Sequence, residues 1–199
     1  LFFIKFLLSR INWGYDNYYG LKEDSVYTDY KYELDRELIL NENFNNLLFN
    51  QEGKFVHYII SYSNHTPFTN TKGVCKMLYN LDNEQLLLDN PELEIEPAEM
   101  TEEECARRQA QETDYMVQLL KENLEGKDML KDTVFVLFAD HYLYTLEDKT
   151  ILDKYKNTSN NLVNNTPFFI WSPNTKKLNI NKTTSQLNIL PTILNLFGI

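Results

Sequence analysis

Three side chains suited to binding a divalent ion follow two apolar runs. Asp140 and His141 come directly after "VFVLFA", and His65 follows "FVHYIISYSN". A carboxylate beside an imidazole is a ligand pair for zinc, manganese or a similar divalent ion. Neighbouring residues on a strand point to opposite faces. Asp140 and His141 can therefore share one ion only if the strand has ended and the chain is turning, and the Tyr-Leu-Tyr-Thr that follows permits such a turn. Of the three histidines, His57 lies inside its run and the other two lie beyond theirs. Taken alone, "DH" fits a surface pair or a hydrogen-bonded structural histidine equally well.

The runs themselves indicate what must hold these residues. "FVHYIISYS", Thr133 to Ala139 and "TPFFIWSP" (166–173) read as three strands. They are continuously apolar and do not alternate, the pattern of strands covered on both faces by helices. "ELDRELILNENFNNLLF" places Leu34, Leu38, Phe44, Leu47 and Leu48 at helical spacing. Thr101 and Glu104 form a capping-box pair. The helix they begin should run to about Glu125, stop at Gly126 and bury Met116, Leu119, Leu120 and Leu124. "LNILPTILNLFGI" reads as a closing helix entered near Pro191 and ended by Gly198. The fold class expected is α/β: a central, mostly parallel sheet flanked by helices, in a single domain over 1–199. In such sheets ligands gather beyond the carboxyl ends of strands. Asp140, His141 and His65 are therefore expected at one sheet edge, with His65 within about 10 Å of the pair.

Composition narrows the function. At 199 residues the chain can bury a sizeable core, and 14% aromatic residues argue against disorder. A net charge of −10 disfavours nucleic acid as a partner. Residues 80–104 form an acidic stretch with two prolines, read as a surface excursion. Cys75 and Cys105 are too few for a disulfide framework and read as unpaired small hydrophobes, which leaves the redox compartment open. "LFFIKFLL" at the start is too short to span a bilayer and reads as a core element of a domain whose beginning lies upstream. The sequence has no GxSxG elbow, P-loop or GxGxxG. Ser61 and Ser63 stand near His65, but local spacing does not make a triad.

"FVHYIISYSNHTPFT", "DTVFVLFADHY", "NTPFFIWSP" and "TSQLNILPTILNLFGI" stand in an order that resembles the sulfatase and alkaline phosphatase superfamily. Within it they look like the lipoteichoic acid synthase type, a phosphoglycerol transferase. The motifs cover roughly residues 55–199, and the chain resembles the C-terminal part of such a catalytic domain. The resemblance implies an alkaline phosphatase-like sandwich and a divalent metal cofactor, manganese first, with zinc, magnesium or calcium as alternatives.

By the same resemblance Asp140 and His141 match the metal-binding pair, and His65 matches a histidine that contacts the substrate phosphate. Arg10, in "LLSRINWGYD", matches an arginine that binds the glycerophosphate headgroup. The implied partner is a phosphatidylglycerol-type lipid headgroup or another anionic ester. The implied setting is a bacterial membrane, with the catalytic domain extracellular and an anchor in the upstream part. The family's threonine nucleophile and its acidic ligand fall upstream of Leu1, so the fragment alone is expected to be inactive. Ala139 replaces the usual glycine before "DH", and Asn188 replaces an aspartate. The rival readings are a sulfate or phosphate ester hydrolase of the same fold and a non-catalytic remnant.

Overall fold

The computed structural model describes residues 15–17, 19, 32–95, 99–156 and 159–199, the side chains of 160 and 161 excepted. The chain divides into two compact units, Leu1–Leu120 and Lys121–Ile199.

In the first unit, α1 (Glu37–Leu40) and α2 (Glu42–Phe49) occupy the segment expected to be one helix. Asn41 separates them: its backbone leaves the helical region (φ −68°, ψ 121°) and its Oδ1 accepts from Phe44 N–H at 3.1 Å. A side chain that caps a new helix offers the backbone an alternative to continuing the old one. Then come α3 (Gly73–Asp82), α4 (Glu84–Asp89) and α5 (Glu102–Gly126). The first ten residues of the acidic stretch are mostly helical. Thr101 N–H donates to Glu104 Oε2 (2.7 Å), and Glu104 N–H donates to Thr101 Oγ1 (3.2 Å), so the capping box forms as read.

The two cysteines require a correction. Cys75 on α3 and Cys105 on α5 are joined by a disulfide, with Cα atoms 5.4 Å apart, and both are fully buried. Sequence spacing says nothing of how two helices cross, and the crossing is what brings these Cβ atoms into bonding range. Beside them, Leu34, Val74 and Leu78 pack together as part of the core. Gly73 opens α3 at φ +69°, and a Cβ there would stand 3.1 Å from the Pro67 ring, so glycine is needed for both conformation and space.

Phe55 to Tyr62 forms no strand ladder among the described residues, and Val56 is 77% exposed. An apolar run becomes a strand only when a neighbour accepts and donates along it. Here the Tyr62 N–H goes instead to the Asp35 carboxylate at 2.7 Å.

In the second unit, β1 (Phe135–Phe138) and β2 (Phe168–Trp171) pair antiparallel, Phe135 opposite Trp171 and Phe138 opposite Phe168. Between them lies α6 (Thr150–Tyr155), and α7 (Ile189–Phe197) closes the chain. Gly198, at φ +72°, gives α7 its left-handed cap as expected. The expected parallel direction and two-sided cover are not found in this pair: Phe169 and Trp171 are exposed. Apolar continuity reports burial, whereas direction is set by the path of the connection, which here brings the chain back along β1. The central parallel sheet is not among the described residues. No described helix is long and apolar enough to cross a membrane.

Candidate functional site

β1 ends at Phe138, and the chain bends at Asp140 and His141, as a shared role for them requires. The ladder reaches one step further through Ala139 N–H to Pro167 O at 3.4 Å. Gln186 then fixes the turn, its Nε2 donating to the carbonyls of Ala139 (3.1 Å) and Asp140. His141 Nδ1 lies 2.8 Å from Tyr142 O. A carbonyl can only accept, so Nδ1 carries the proton in this bond and a neutral ring keeps its lone pair on Nε2. That Nε2 stands 3.5 Å from Asp140 Oδ2. Ligands about 2.1 Å from a tetrahedral ion stand about 3.4 Å from each other, so the two atoms fit as partners on one ion. Asp140 is largely exposed and His141 half so, which leaves both open to an ion from solvent. No cluster of three or more His, Cys, Asp or Glu suited to an ion occurs among the described residues. Two such groups by themselves do not make a metal site.

His65 belongs to the first unit. Its ring makes the same kind of bond as His141, Nδ1 to the carbonyl of the next residue, Thr66, at 2.9 Å. A neutral His65 therefore also offers Nε2. The ring stacks on Tyr62, with centroids 5.6 Å apart and planes 15° from parallel. His57 is engaged the other way round: its Nε2 bonds Leu48 O at 2.8 Å, a structural role that fits its place inside the run.

Beneath His65 lies a buried polar frame. Asp35 Oδ1 accepts from the N–H groups of Tyr62 (2.7 Å) and Ser63 (3.1 Å), and Oδ2 accepts from Thr113 Oγ1 (2.8 Å). Asp35 N–H returns a bond to Ser63 Oγ at 2.8 Å. Burial pushes the Asp35 carboxyl above its usual range. Its three donors pull the other way, and the Glu112 charge adds to the rise. Gln109, fully buried on α5, donates Nε2 to the carbonyls of Ser63 (3.0 Å) and His65 (2.7 Å). Arg36 meets Glu112, on the same helix, through its Nε, Nη2 and backbone N–H. Asp35, Ser63, Gln109 and Gln186 carried no role in the sequence reading. Gln186 lay within a motif that did, "TSQLNILPT"; the other three are separated by tens of residues from the groups they bind.

Arg10 lies outside the described residues. Asn188 accepts Ser185 N–H on its Oδ1 at 3.0 Å, so the amide makes at this turn a bond that a carboxylate could also make.

No curated protein and no solved structure matches this chain. A family model described as Sulfatase matches residues 4–199. The match runs through the strand-end pair, the His65 loop and the closing helix alike; the chain belongs to the sulfatase family, whose fold class is the α/β type of alkaline phosphatase.

Proposed function

We propose that the chain is the metal-dependent part of a phosphoglycerol transferase, moving glycerophosphate from a phosphatidylglycerol-type lipid to a cell-envelope polymer. The observation that carries the metal dependence is the placement of His141 Nε2 beside Asp140 Oδ2, with Nδ1 held by Tyr142 O. The choice of donor rests on the order of the sequence motifs.

Asp140 and His141 would hold a divalent ion, manganese by preference, which would supply Lewis-acid polarisation of an ester oxygen. Asp140 contributes the negative charge of the site, and His141 presents an imidazole whose orientation is fixed. His65, when protonated, can donate Nε2–H to an ester or leaving oxygen while Nδ1–H stays on Thr66 O. Arg10 orients the headgroup in this reading. The buried disulfide supports an extracellular setting, since such bonds persist in oxidising compartments.

The second reading is a sulfate or phosphate ester hydrolase, favoured by the family match itself. One experiment separates the two. The protein as encoded is given fluorescent phosphatidylglycerol in vesicles with Mn2+, and nitrophenyl sulfate and phosphate in parallel. Metal-dependent release of diacylglycerol, lost in Asp140→Asn, supports transfer. Turnover of the nitrophenyl esters alone supports the hydrolase.

A further inference from the structure

We propose that Asp35 and Gln109 are positioning residues that clamp the 62–65 segment, one through its N–H groups and the other through its carbonyls, and so set the direction of the His65 imidazole. The inference rests on the reading of His65 as the substrate-binding histidine.

Every backbone donor and acceptor of Tyr62, Ser63 and His65 is engaged. Asp35 takes the N–H groups of Tyr62 and Ser63. Gln109 takes the carbonyls of Ser63 and His65. His65 N–H closes on Tyr62 O at 2.9 Å. A carboxylate only accepts and an amide NH2 only donates, so each clamp matches the groups it faces. A flipped Gln109 amide would set its oxygen against two carbonyls, which fixes the side chain one way. With the backbone held on both sides of Asn64, the His65 Cα–Cβ direction has little freedom. The ring is then completed by Tyr62 and Thr66 O.

Both clamps are anchored. Thr113 on α5 holds Asp35, and Arg36, the next residue, is fixed to Glu112 on the same helix. The disulfide joins α5 to α3, whose first residue packs against Pro67, two residues beyond His65. A purely structural frame would need to hold only the chain path. This one is concentrated on the residues that carry an exposed imidazole, while the preceding run, Phe55 to Ser61, has no regular structure.

The test is Gln109→Met in the full chain, which keeps much of the volume and removes both N–H donors. The tautomers of the three histidines are read from their ring 15N and 1H resonances. We expect the His65 ring to lose its Nδ1–H preference, while the rings of His57 and His141 stay as in wild type. Amide exchange at Ser63 and His65 should quicken by about tenfold. An unchanged His65 overturns the inference, and so does an equal change at all three rings. Thr113→Val, which removes one donor to Asp35, is the milder variant should Gln109→Met fold poorly; it should move the same signals less. Inorganic phosphate titrated against wild type, read at the His65 ring, tests the substrate reading separately. A ring silent to phosphate defeats that reading even where the clamp result holds.

Discussion

Arg36 and Glu112 are joined by a fork that closes from two directions: Arg36 Nε stands 3.0 and 2.9 Å from the two carboxylate oxygens, and the Arg36 backbone N–H stands 3.0 Å from one of them. The guanidinium also lies 4.7 Å from the centre of the Tyr115 ring. The Glu112 side chain is fully buried, whereas that of Arg36 keeps 24% of its exposure. The two ends are therefore not equivalent. Arg36→Met strands a buried carboxylate and should cost about 3–5 kcal/mol. Glu112→Gln leaves one acceptor oxygen for Arg36 and a partly hydrated cation, and should cost about 1–2 kcal/mol. Urea unfolding of both variants checks the order; equal losses would show that Glu112 finds another donor.

The disulfide closes a loop with a sequence separation of 30. Loop-closure entropy for that length corresponds to about 3–4 kcal/mol. The double variant Cys75→Ala, Cys105→Ala should lose that much stability, measured against wild type under non-reducing conditions. Because both sulfurs are buried, dithiothreitol should reduce the native chain slowly and the urea-unfolded chain quickly. Equal rates would contradict the burial.

Asp35 makes a prediction about pH. Its folded pKa is raised, mainly by burial, so the folded state binds a proton more readily than the unfolded state. The stability this contributes is fully present below the ordinary carboxylate pKa of about 3.9 and is lost as pH rises through the folded value. Asp35→Asn keeps an oxygen for the Tyr62 and Ser63 N–H groups, and its amide can donate to the Thr113 hydroxyl. The stability of wild type relative to Asp35→Asn should therefore fall as pH rises from about 4 towards neutrality. A flat difference across that range would show that the carboxyl is not perturbed.

Asp140 extends from the sheet end and is largely exposed, and His141 keeps one ring contact, edge-on to Tyr144 with centroids 4.7 Å apart. His141→Ala and Asp140→Asn should each lower Mn2+ affinity by at least about tenfold in calorimetric titration. Their melting curves should stay close to wild type, within about 0.5 kcal/mol. Gln186→Ala should weaken the ion less, because it frees the turn without removing a ligand. Unchanged affinity in His141→Ala would defeat the ligand assignment.

Features set by near neighbours along the chain were legible in the sequence. The apolar runs of β1 and β2 were legible as strands, although their pairing is long-range, Phe135 opposite Trp171. The Thr101–Glu104 box and the Gly198 cap each depend on contacts a few residues apart, so local propensity and hydrogen bonding suffice to place them. The turn at Asp140–His141 was readable for the same reason. Its chemistry, an acid beside an imidazole after an oily strand, is written in consecutive letters. Two local signals misled: the apolar periodicity across Asn41 concealed a side chain that starts a second helix, and the apolar run Phe55 to Tyr62 forms no strand.

The frame under His65 was decided by tertiary structure. Asp35 meets Ser63 across 28 residues, Gln109 meets the Ser63 carbonyl across 46, and Arg36 meets Glu112 across 76. In sequence each of these is an ordinary polar residue of a helix or turn. Only the packing of α5 removes water from them and sets them against their partners, since a buried polar group is stabilised by a partner within the fold; Gln109 Nε2 finds two carbonyls, while its Oε1 is left without a donor. The Cys75–Cys105 bond belongs with them: two buried cysteines have the same letters whether bonded or free, and the crossing of α3 and α5 made them a disulfide.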